Sequence, residues 1–312
     1  MGSSMETTCE LPEGSWDSHV HVVDEDVFPL HPKHPYRPRK ADLNDLLRFE
    51  SSLGITHVCL VAISPYHTDN SSIIDALIRM KGKGRAVVCI DPETISGGEL
   101  RRLHRLGARA ARLNLKTREQ KLEEQDMQRI LHRYAERIRP LGWALQIFCA
   151  LEQIEQMAHI LPQLGITIVI DHLGAPHASR GRGRTQPGYT AFIKLLETGV
   201  VWTKLSGLYR FPDLPDLDDY VLEILRVAPD RIVYASDWPH SGGVQANPGG
   251  DRNAVQEYRK VDDVSFIERC KAWCYASGDD VGEDLVRKIF RDNARTLWQY
   301  DPTSPCASDD SS

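Results

Sequence analysis

The feature that most constrains the fold is a repeated alternation of short apolar runs with amphipathic stretches. Continuously apolar runs are typical of strands that are buried on both faces of a parallel sheet. Eight such runs occupy residues 15–22, 56–63, 86–90, 108–115, 143–149, 166–171, 200–206 and 232–236. Eight strand–helix units in series predict an α/β fold, a (β/α)8 TIM barrel in a single domain. A doubly wound open sheet is the alternative, but no G-x-G-x-x-G motif follows the first run to favour it.

Helical periodicity and turn residues delimit the elements between these runs. We predict a helix that begins at the Asp42 cap and ends at Gly54, followed by helices at 71–81, 98–106, 123–139, 151–164, 189–197 and 217–227. The barrel domain is expected to cover residues 15–300, with a disordered lead-in at 1–14 and a disordered tail at 301–312. The Pro- and His-containing loop at 24–40 is long enough to suggest a functional role.

Composition excludes several classes of protein. The chain has 312 residues and a net charge of −6 without a basic cluster, which argues against a nucleic-acid partner. No apolar run approaches the roughly 20 residues of a membrane-spanning helix, and the N-terminus lacks a signal-peptide pattern. Seven irregularly spaced cysteines favour a reduced, cytoplasmic protein. The sequence gives no indication of the oligomeric state.

In a barrel of this type the active site is built from the carboxyl ends of the strands. The first run carries His19 and His21 on one side of a strand, and the last run leads directly into Asp237. The ends of the other runs present Ser64, Arg112, Asn114, Gln146, Phe148, Asp171, His172, Lys204 and Ser206, with Arg210 and His240 in adjoining loops. Because Arg and Asp are seldom buried unless paired, this concentration at one face indicates a site rather than packing.

Three of these segments carry a family resemblance. His19-Val20-His21, Ile170–Gly174 and Ser236–His240 resemble the amidohydrolase superfamily. The resemblance is strongest to its branch of 2-pyrone-4,6-dicarboxylate lactonases and related decarboxylases, and it extends from Trp16 to Trp298. Within that branch, the lactonase pattern is matched by Arg112 through Arg118, by Lys204-Leu205-Ser206 with Arg210, and by Tyr36 in the first long loop.

The resemblance implies a role for each of these residues. Asp237 would be the general base that activates a water, while His19, His21 and His172 would polarise the lactone carbonyl. The residues expected to bind the substrate are Arg112, Arg118, Arg210, Tyr36, Ser64 and His240. Guanidinium groups match carboxylate geometry, so the arginines suggest a small anionic lactone such as a pyrone dicarboxylate or a muconolactone-like acid. Phe148 is a departure, because the lactonases present a tyrosine there.

A metal ion is the main open question about cofactors. His19, His21, His172 and Asp237 are suitable ligands for one divalent ion such as Zn²⁺. A dinuclear centre would need a bridging Lys or Glu after the fourth strand and a His after the fifth, where this chain has Arg112, Asn114 and Phe148. Arginines in the pocket would repel a dication. We therefore expect hydrolysis that requires no metal, with at most one weakly held ion.

Two rival functions follow from the same residues. A metal-dependent decarboxylase of an aromatic acid would use the same barrel face, but such enzymes usually have Glu-x-His on the first strand, where this chain has His19 and His21. A non-catalytic ligand-binding barrel is the rival from another class. The presence of Asp237 together with three histidines argues against it.

Overall fold

The apolar runs form the strands of one closed parallel sheet. The computed structural model describes residues 9–116, 123–276 and 278–301. The eight strands pair in chain order as β1 Trp16–Val20, β2 His57–Val61, β3 Gly84–Val88, β4 Ala108–Asn114, β5 Ala144–Phe148, β6 Ile168–Ile170, β7 Val201–Leu205 and β8 Ile232–Tyr234. Every neighbouring pair is parallel. The predicted (β/α)8 barrel is confirmed.

Helices surround this sheet and follow the predicted order. In the described part of the chain they are α1 Leu43–Leu53, α2 Ser71–Met80, α3 Gly97–Leu106, α4 Glu124–Ile138, α5 Leu151–Met157, α6 Tyr189–Glu197, α7 Leu217–Val227, α8 Asp263–Tyr275, α9 Asp279–Arg287 and α10 Asn293–Leu297. The predicted helix at 151–164 is too long. Pro162 has no amide hydrogen and cannot continue an α-helix, so α5 stops early and a 3₁₀ turn, Leu161–Leu164, follows.

The amino-terminal end of the barrel is closed by the last helix. Ala294, Leu297 and Trp298 pack with side chains from inside the barrel in one apolar cluster. The indole of Trp298 donates a hydrogen bond to Ser18 Oγ at 3.0 Å. Because this end is filled, the opposite end, at the carboxyl termini of the strands, is where a ligand can enter.

Two boundaries of the described chain bear on earlier expectations. Cys9 is buried and Leu11 packs against the core, so the described end of the segment predicted as a disordered lead-in is packed. Residues 1–8 and 302–312 lie outside the described part. Among the helices that are described, none combines the length and the apolar character needed to cross a membrane.

The barrel closes through a short seam between β1 and the residues after β8. Val20 pairs in parallel with Trp238, and the amide of Asp237 donates to His19 O at 3.0 Å. The buried carboxylate of Asp17 reinforces the seam by accepting from the amides of His19 at 3.0 Å and Ser236 at 3.1 Å. The first and last strands therefore hold their functional side chains in a fixed relation.

We expect Asp17→Ala to lower the free energy of unfolding by about 1–3 kcal/mol, because it leaves buried amides without an acceptor. Asp17→Asn keeps one acceptor oxygen and should lose less. Asp251→Ala is the control, since Asp251 accepts from one amide at an exposed turn, and its change should stay within about 0.5 kcal/mol. Urea denaturation measures all three variants. Equal losses at Asp17 and Asp251 would show that the seam does not depend on this carboxylate.

Candidate active site

Four predicted catalytic residues meet at the open end of the barrel. Asp237 Oδ1 lies 3.6 Å from His19 Nε2 and 3.5 Å from His21 Nε2. Asp237 Oδ2 lies 3.7 Å from His172 Nε2. All four side chains are buried. The carboxyl ends of β1, β6 and β8 therefore bring one carboxylate and three imidazoles together, as their positions in the sequence predict.

The backbone at this site is unusual. His172 and Asp237 have φ values of 53° and 67°, a left-handed conformation that non-glycine residues seldom adopt. Such strain persists where the surroundings hold the residue firmly, and it concentrates at functional sites. Both residues lie just beyond the carboxyl ends of their strands, β6 and β8.

Asp237 is held by two donors from the loop after β7. Tyr209 Oη donates to Asp237 Oδ2 at 2.5 Å, and Arg210 donates to the same oxygen from Nε at 3.0 Å and Nη2 at 2.7 Å. Burial alone would raise the pKa of Asp237, but Arg210 and the nearby imidazoles hold that pKa well below its usual range. The carboxylate is therefore ionised at neutral pH, and its Oδ1 oxygen faces His19 and His21.

Two of the histidines are neutral at pH 7. Burial lowers the pKa of His172 to about 4, although Asp237 and Asp171 oppose the shift. Burial, assisted by Lys204, holds the pKa of His19 well below its usual value. His172 Nδ1 lies 2.7 Å from Ser206 Oγ, which fixes the orientation of the ring.

The third histidine has a defined proton position. His21 Nδ1 lies 2.7 Å from the carbonyl oxygen of Val61. Because a carbonyl only accepts, Nδ1 carries a proton, and Nε2 is the nitrogen directed at Asp237.

A buried polar network lies behind His19. Lys204 Nζ donates to Gln146 Oε1 at 2.6 Å and lies 3.1 Å from His19 Nδ1 and 3.4 Å from Asp171 Oδ1. Gln146 Nε2 in turn donates to Asp171 Oδ2 at 3.0 Å. The sequence places these residues at strand ends but does not reveal their pairing. The available signal is a single Gln or Lys inside an otherwise apolar strand, since such a side chain must find a partner in the barrel.

The tautomer of His19 depends on which neighbour uses Nδ1. If the Lys204 ammonium donates to Nδ1, then Nε2 carries the proton and points toward Asp237. If Nδ1 donates to Asp171, at 3.4 Å, then Nε2 presents a lone pair. The first arrangement provides a hydrogen-bond donor in the pocket, and the second provides a metal ligand.

The donor set fits one divalent cation. His19, His172 and Asp237 each offer a ligand atom, and these atoms lie within 4.8 Å of one another. His19 Nε2 is buried and has no hydrogen-bond partner. Imidazole nitrogen and carboxylate oxygen are the ligands that Zn²⁺ accepts. This group contains three of the four residues predicted as metal ligands, and the fourth, His21, is not part of it.

Three of the predicted substrate-binding residues lie in β4, in the turn after β2 and in the loop after β1, and they are Arg112, Ser64 and Tyr36. Arg112 donates from Nη1 to the carbonyl of Ala62, while its Nε has no partner. Ser64 Oγ accepts from Asn114 Nδ2 at 3.0 Å. Tyr36 is buried, and burial raises its pKa while Arg112 and Arg210 oppose the shift, which places its hydroxyl near both cations.

The other three are arranged differently. Arg210 forms its ion pair with Asp237, as described above. His240 Nε2 lies 3.0 Å from Asp263 Oδ2, and its ring packs edge-on against Tyr209 at 5.3 Å between centroids. Arg118 lies outside the described residues. Sequence reasoning missed Tyr209, whose position in a loop gives no pattern that distinguishes it from a surface tyrosine.

Gly207 provides the space for His172, because a Cβ atom there would lie 2.8 Å from Nδ1 of the imidazole, and its φ is +68°. We expect Gly207→Ala to displace the ring and lower the free energy of unfolding by about 1–3 kcal/mol through overpacking. Gly181→Ala is the matched control, since Gly181 has φ +79° and open space around it. Denaturation and a crystal structure of each variant check this. An unmoved ring, with losses no larger than at Gly181, would contradict it.

Comparisons with known proteins identify relatives of this chain. The chain is 29% identical over 239 residues to the 4-sulfomuconolactone hydrolase of Hydrogenophaga intermedia, covering 74% of this chain and 77% of the relative. It is 28% identical over 245 residues to the 2-pyrone-4,6-dicarboxylate hydrolase of Comamonas testosteroni, covering 74% and 78%.

Solved structures and a family profile extend the likeness to nearly the whole chain. A Pseudomonas putida protein, described as a candidate 2-pyrone-4,6-dicarboxylic acid hydrolase, superposes with a TM-score of 0.74 at 28% identity, covering 93% of this chain and 98% of that one. The amidohydrolase family profile matches residues 16–299. The predicted superfamily is thereby confirmed, and the chain belongs to the amidohydrolase family.

Proposed function

We propose that the protein is a hydrolase that opens a carboxylated cyclic ester, a pyrone dicarboxylate or a muconolactone-like lactone, with a water activated by Asp237. The observation that carries this proposal is the buried, ionised Asp237, whose Oδ2 accepts hydrogen bonds from Tyr209 and Arg210 while its Oδ1 faces the imidazoles of His19 and His21. The named activities of the relatives, which act on a pyrone dicarboxylate and a sulfomuconolactone, support the same class of substrate.

The chemistry assigns a separate task to each oxygen of Asp237. Oδ2 stays bound to Arg210 and Tyr209, so the carboxylate cannot rotate. Oδ1 takes a proton from water as the water oxygen bonds to the lactone carbonyl carbon. The ring C–O bond then breaks, and the proton passes to the leaving oxygen to give the open-chain acid.

The imidazoles stabilise the oxyanion that forms on the carbonyl oxygen. His19 donates from Nε2 when the Lys204 ammonium occupies its Nδ1, and this donor lies beside the base. Preorganised donors of this kind, in a site without water, typically contribute on the order of 10²–10³ in rate each. The ion pair of Lys204 with Asp171 keeps His19 in place.

Arg112 is the residue best placed to hold a substrate carboxylate. The two acids of the site already have cationic partners, because Asp171 pairs with Lys204 and Asp237 with Arg210. Arg112 contacts only a backbone carbonyl, so its positive charge is uncompensated in the described part of the chain. Ser64 and Tyr36 supply hydroxyl groups near it. We retain Arg118 and His240 as proposed substrate contacts.

We also propose that the reaction requires no metal. An ion would be held by His19, His172 and Asp237, and it would supply Lewis-acid polarisation of the carbonyl. Lys204 competes with this arrangement, because an ammonium that donates to His19 Nδ1 leaves a proton, not a lone pair, on Nε2. Arg210 on Asp237 further reduces the attraction of the site for a dication.

A second candidate is a metal-dependent decarboxylase of an aromatic acid, which the grouping of His19, His172 and Asp237 favours. Such an enzyme would release CO₂ and would need the ion. It would also leave lactones intact, so the two candidates differ in both product and metal requirement.

We expect the purified protein, dialysed against a chelator and checked by elemental analysis, to open 2-pyrone-4,6-dicarboxylate or a carboxylated muconolactone. Ring opening is followed by ultraviolet absorbance. Asp237→Asn should reduce kcat on the order of 10²–10⁴, the usual contribution of a general base. Failure with both lactones, together with Zn²⁺-dependent CO₂ release from an aromatic acid, would favour the second candidate.

Arg210→Met should move the acidic limb of the kcat/KM profile to higher pH. Arg210 lowers the pKa of Asp237, so its removal lets burial raise that pKa. The base then protonates, and activity falls, at a pH where the wild type is still active. Arg112→Met is the control, because it should raise KM and leave the limb in place. An identical pH profile in all three proteins would show that Arg210 does not lower the pKa of Asp237.

A further inference from the structure

Lys116 is a cation beside the Phe148 ring that has no role in the proposed reaction. It follows β4, and its amide donates to the carbonyl of Phe148 at 3.1 Å. Its Nζ lies 5.5 Å from the centroid of the Phe148 ring. That ring in turn packs edge-on against His172 at 5.2 Å, so Lys116 stands one aromatic ring away from the catalytic imidazoles.

This lysine has no acidic partner in the described residues. It forms neither an ion pair nor a side-chain hydrogen bond there, although it is half-buried. Glu152 acts on it electrostatically but pairs with Arg180 at 3.0 Å. Burial lowers the pKa of Lys116, and Arg210 lowers it further. A partly desolvated ammonium beside another cation is an unfavourable arrangement that a bound anion would relieve.

The surroundings leave Lys116 as the polar group at this position. Arg210 lies against the same ring, 5.8 Å from its centroid, but directs Nε and Nη2 to Asp237. Phe148 offers no hydroxyl, so it cannot hydrogen-bond a substrate. Lys116 is therefore the cation beside Phe148 that can bind an acid group of a ligand.

We infer that Lys116 binds a second carboxylate of the substrate and so selects dianionic over monoanionic lactones. This rests on the proposed function, and it adds a specificity-determining residue to it. Arg112, within β4, receives one carboxylate, and Lys116, just beyond the carboxyl end of the same strand, receives the other. A purely structural role, as a cation over an aromatic ring, would not discriminate between substrates.

The test compares Lys116→Met, which keeps the stem over Phe148 and removes the charge, with Lys116→Arg, which restores the charge. Lys83→Met, an exposed lysine before β3 at the far end of the barrel, is the control. Substrates are 2-pyrone-4,6-dicarboxylate and its two monoacids, the 4-carboxylate and the 6-carboxylate.

We expect Lys116→Met to raise KM for the diacid on the order of tenfold, with kcat nearly unchanged. It should raise KM similarly for the monoacid whose carboxylate contacts Lys116 and leave KM for the other monoacid unchanged. Lys116→Arg and Lys83→Met should resemble the wild type. An unchanged KM, or equal losses on all three substrates, overturns the inference.

Binding of non-reactive acids separates this inference from the proposed function. If the wild type opens none of the lactones, the proposed function fails. Calorimetric binding of isophthalate and benzoate then decides the role of Lys116. Roughly tenfold weaker binding of isophthalate to Lys116→Met, with benzoate unchanged, supports the second anion site. Equal binding of isophthalate to wild type and variant overturns it.

Discussion

The structure of the site depends on the burial of one carboxylate. Asp237 is almost completely removed from water, and an isolated carboxylate in such a position would take up a proton. The donors from Arg210 and Tyr209 prevent this by compensating the charge on one oxygen. Their placement also fixes Oδ2, while Oδ1 faces His19 and His21. The same interaction thus stabilises the ionised form and orients it.

The seam of the barrel supplies the geometry for that interaction. The amide of Asp237 donates a hydrogen bond to the carbonyl of His19. This backbone bond fixes the position of Asp237 relative to His19. Asp17 anchors both sides of the seam from within the strands. Catalytic groups carried on a long flexible loop would lack this constraint. A closed barrel therefore fixes the relative positions of side chains at the junction between its first and last strands.

The sequence predicts the barrel and its strand ends better than it predicts which side chains pair within the site. Eight apolar runs were sufficient to identify the barrel, because strands buried on both faces leave a strong pattern, and strand ends identified where His19 and Asp237 would meet. The partner of Arg210 could not be read in the same way. Whether a guanidinium turns to an internal aspartate or to a ligand depends on loop conformation and side-chain rotamers, which leave no periodic signal. The same holds for His240, which lies against Asp263.

The pairing of acids with cations in the site bears on which substrate can bind. Each acid inside the pocket has its own cation, since Lys204 compensates Asp171 and Arg210 compensates Asp237. Arg112 and Lys116 then remain as positive charges without acidic partners in the described residues. An uncompensated pair of cations in a poorly hydrated pocket attracts a ligand with two negative groups and repels a metal ion. Under the proposed function, the ion pairs that keep Asp237 ionised therefore also determine which cations remain to bind the substrate.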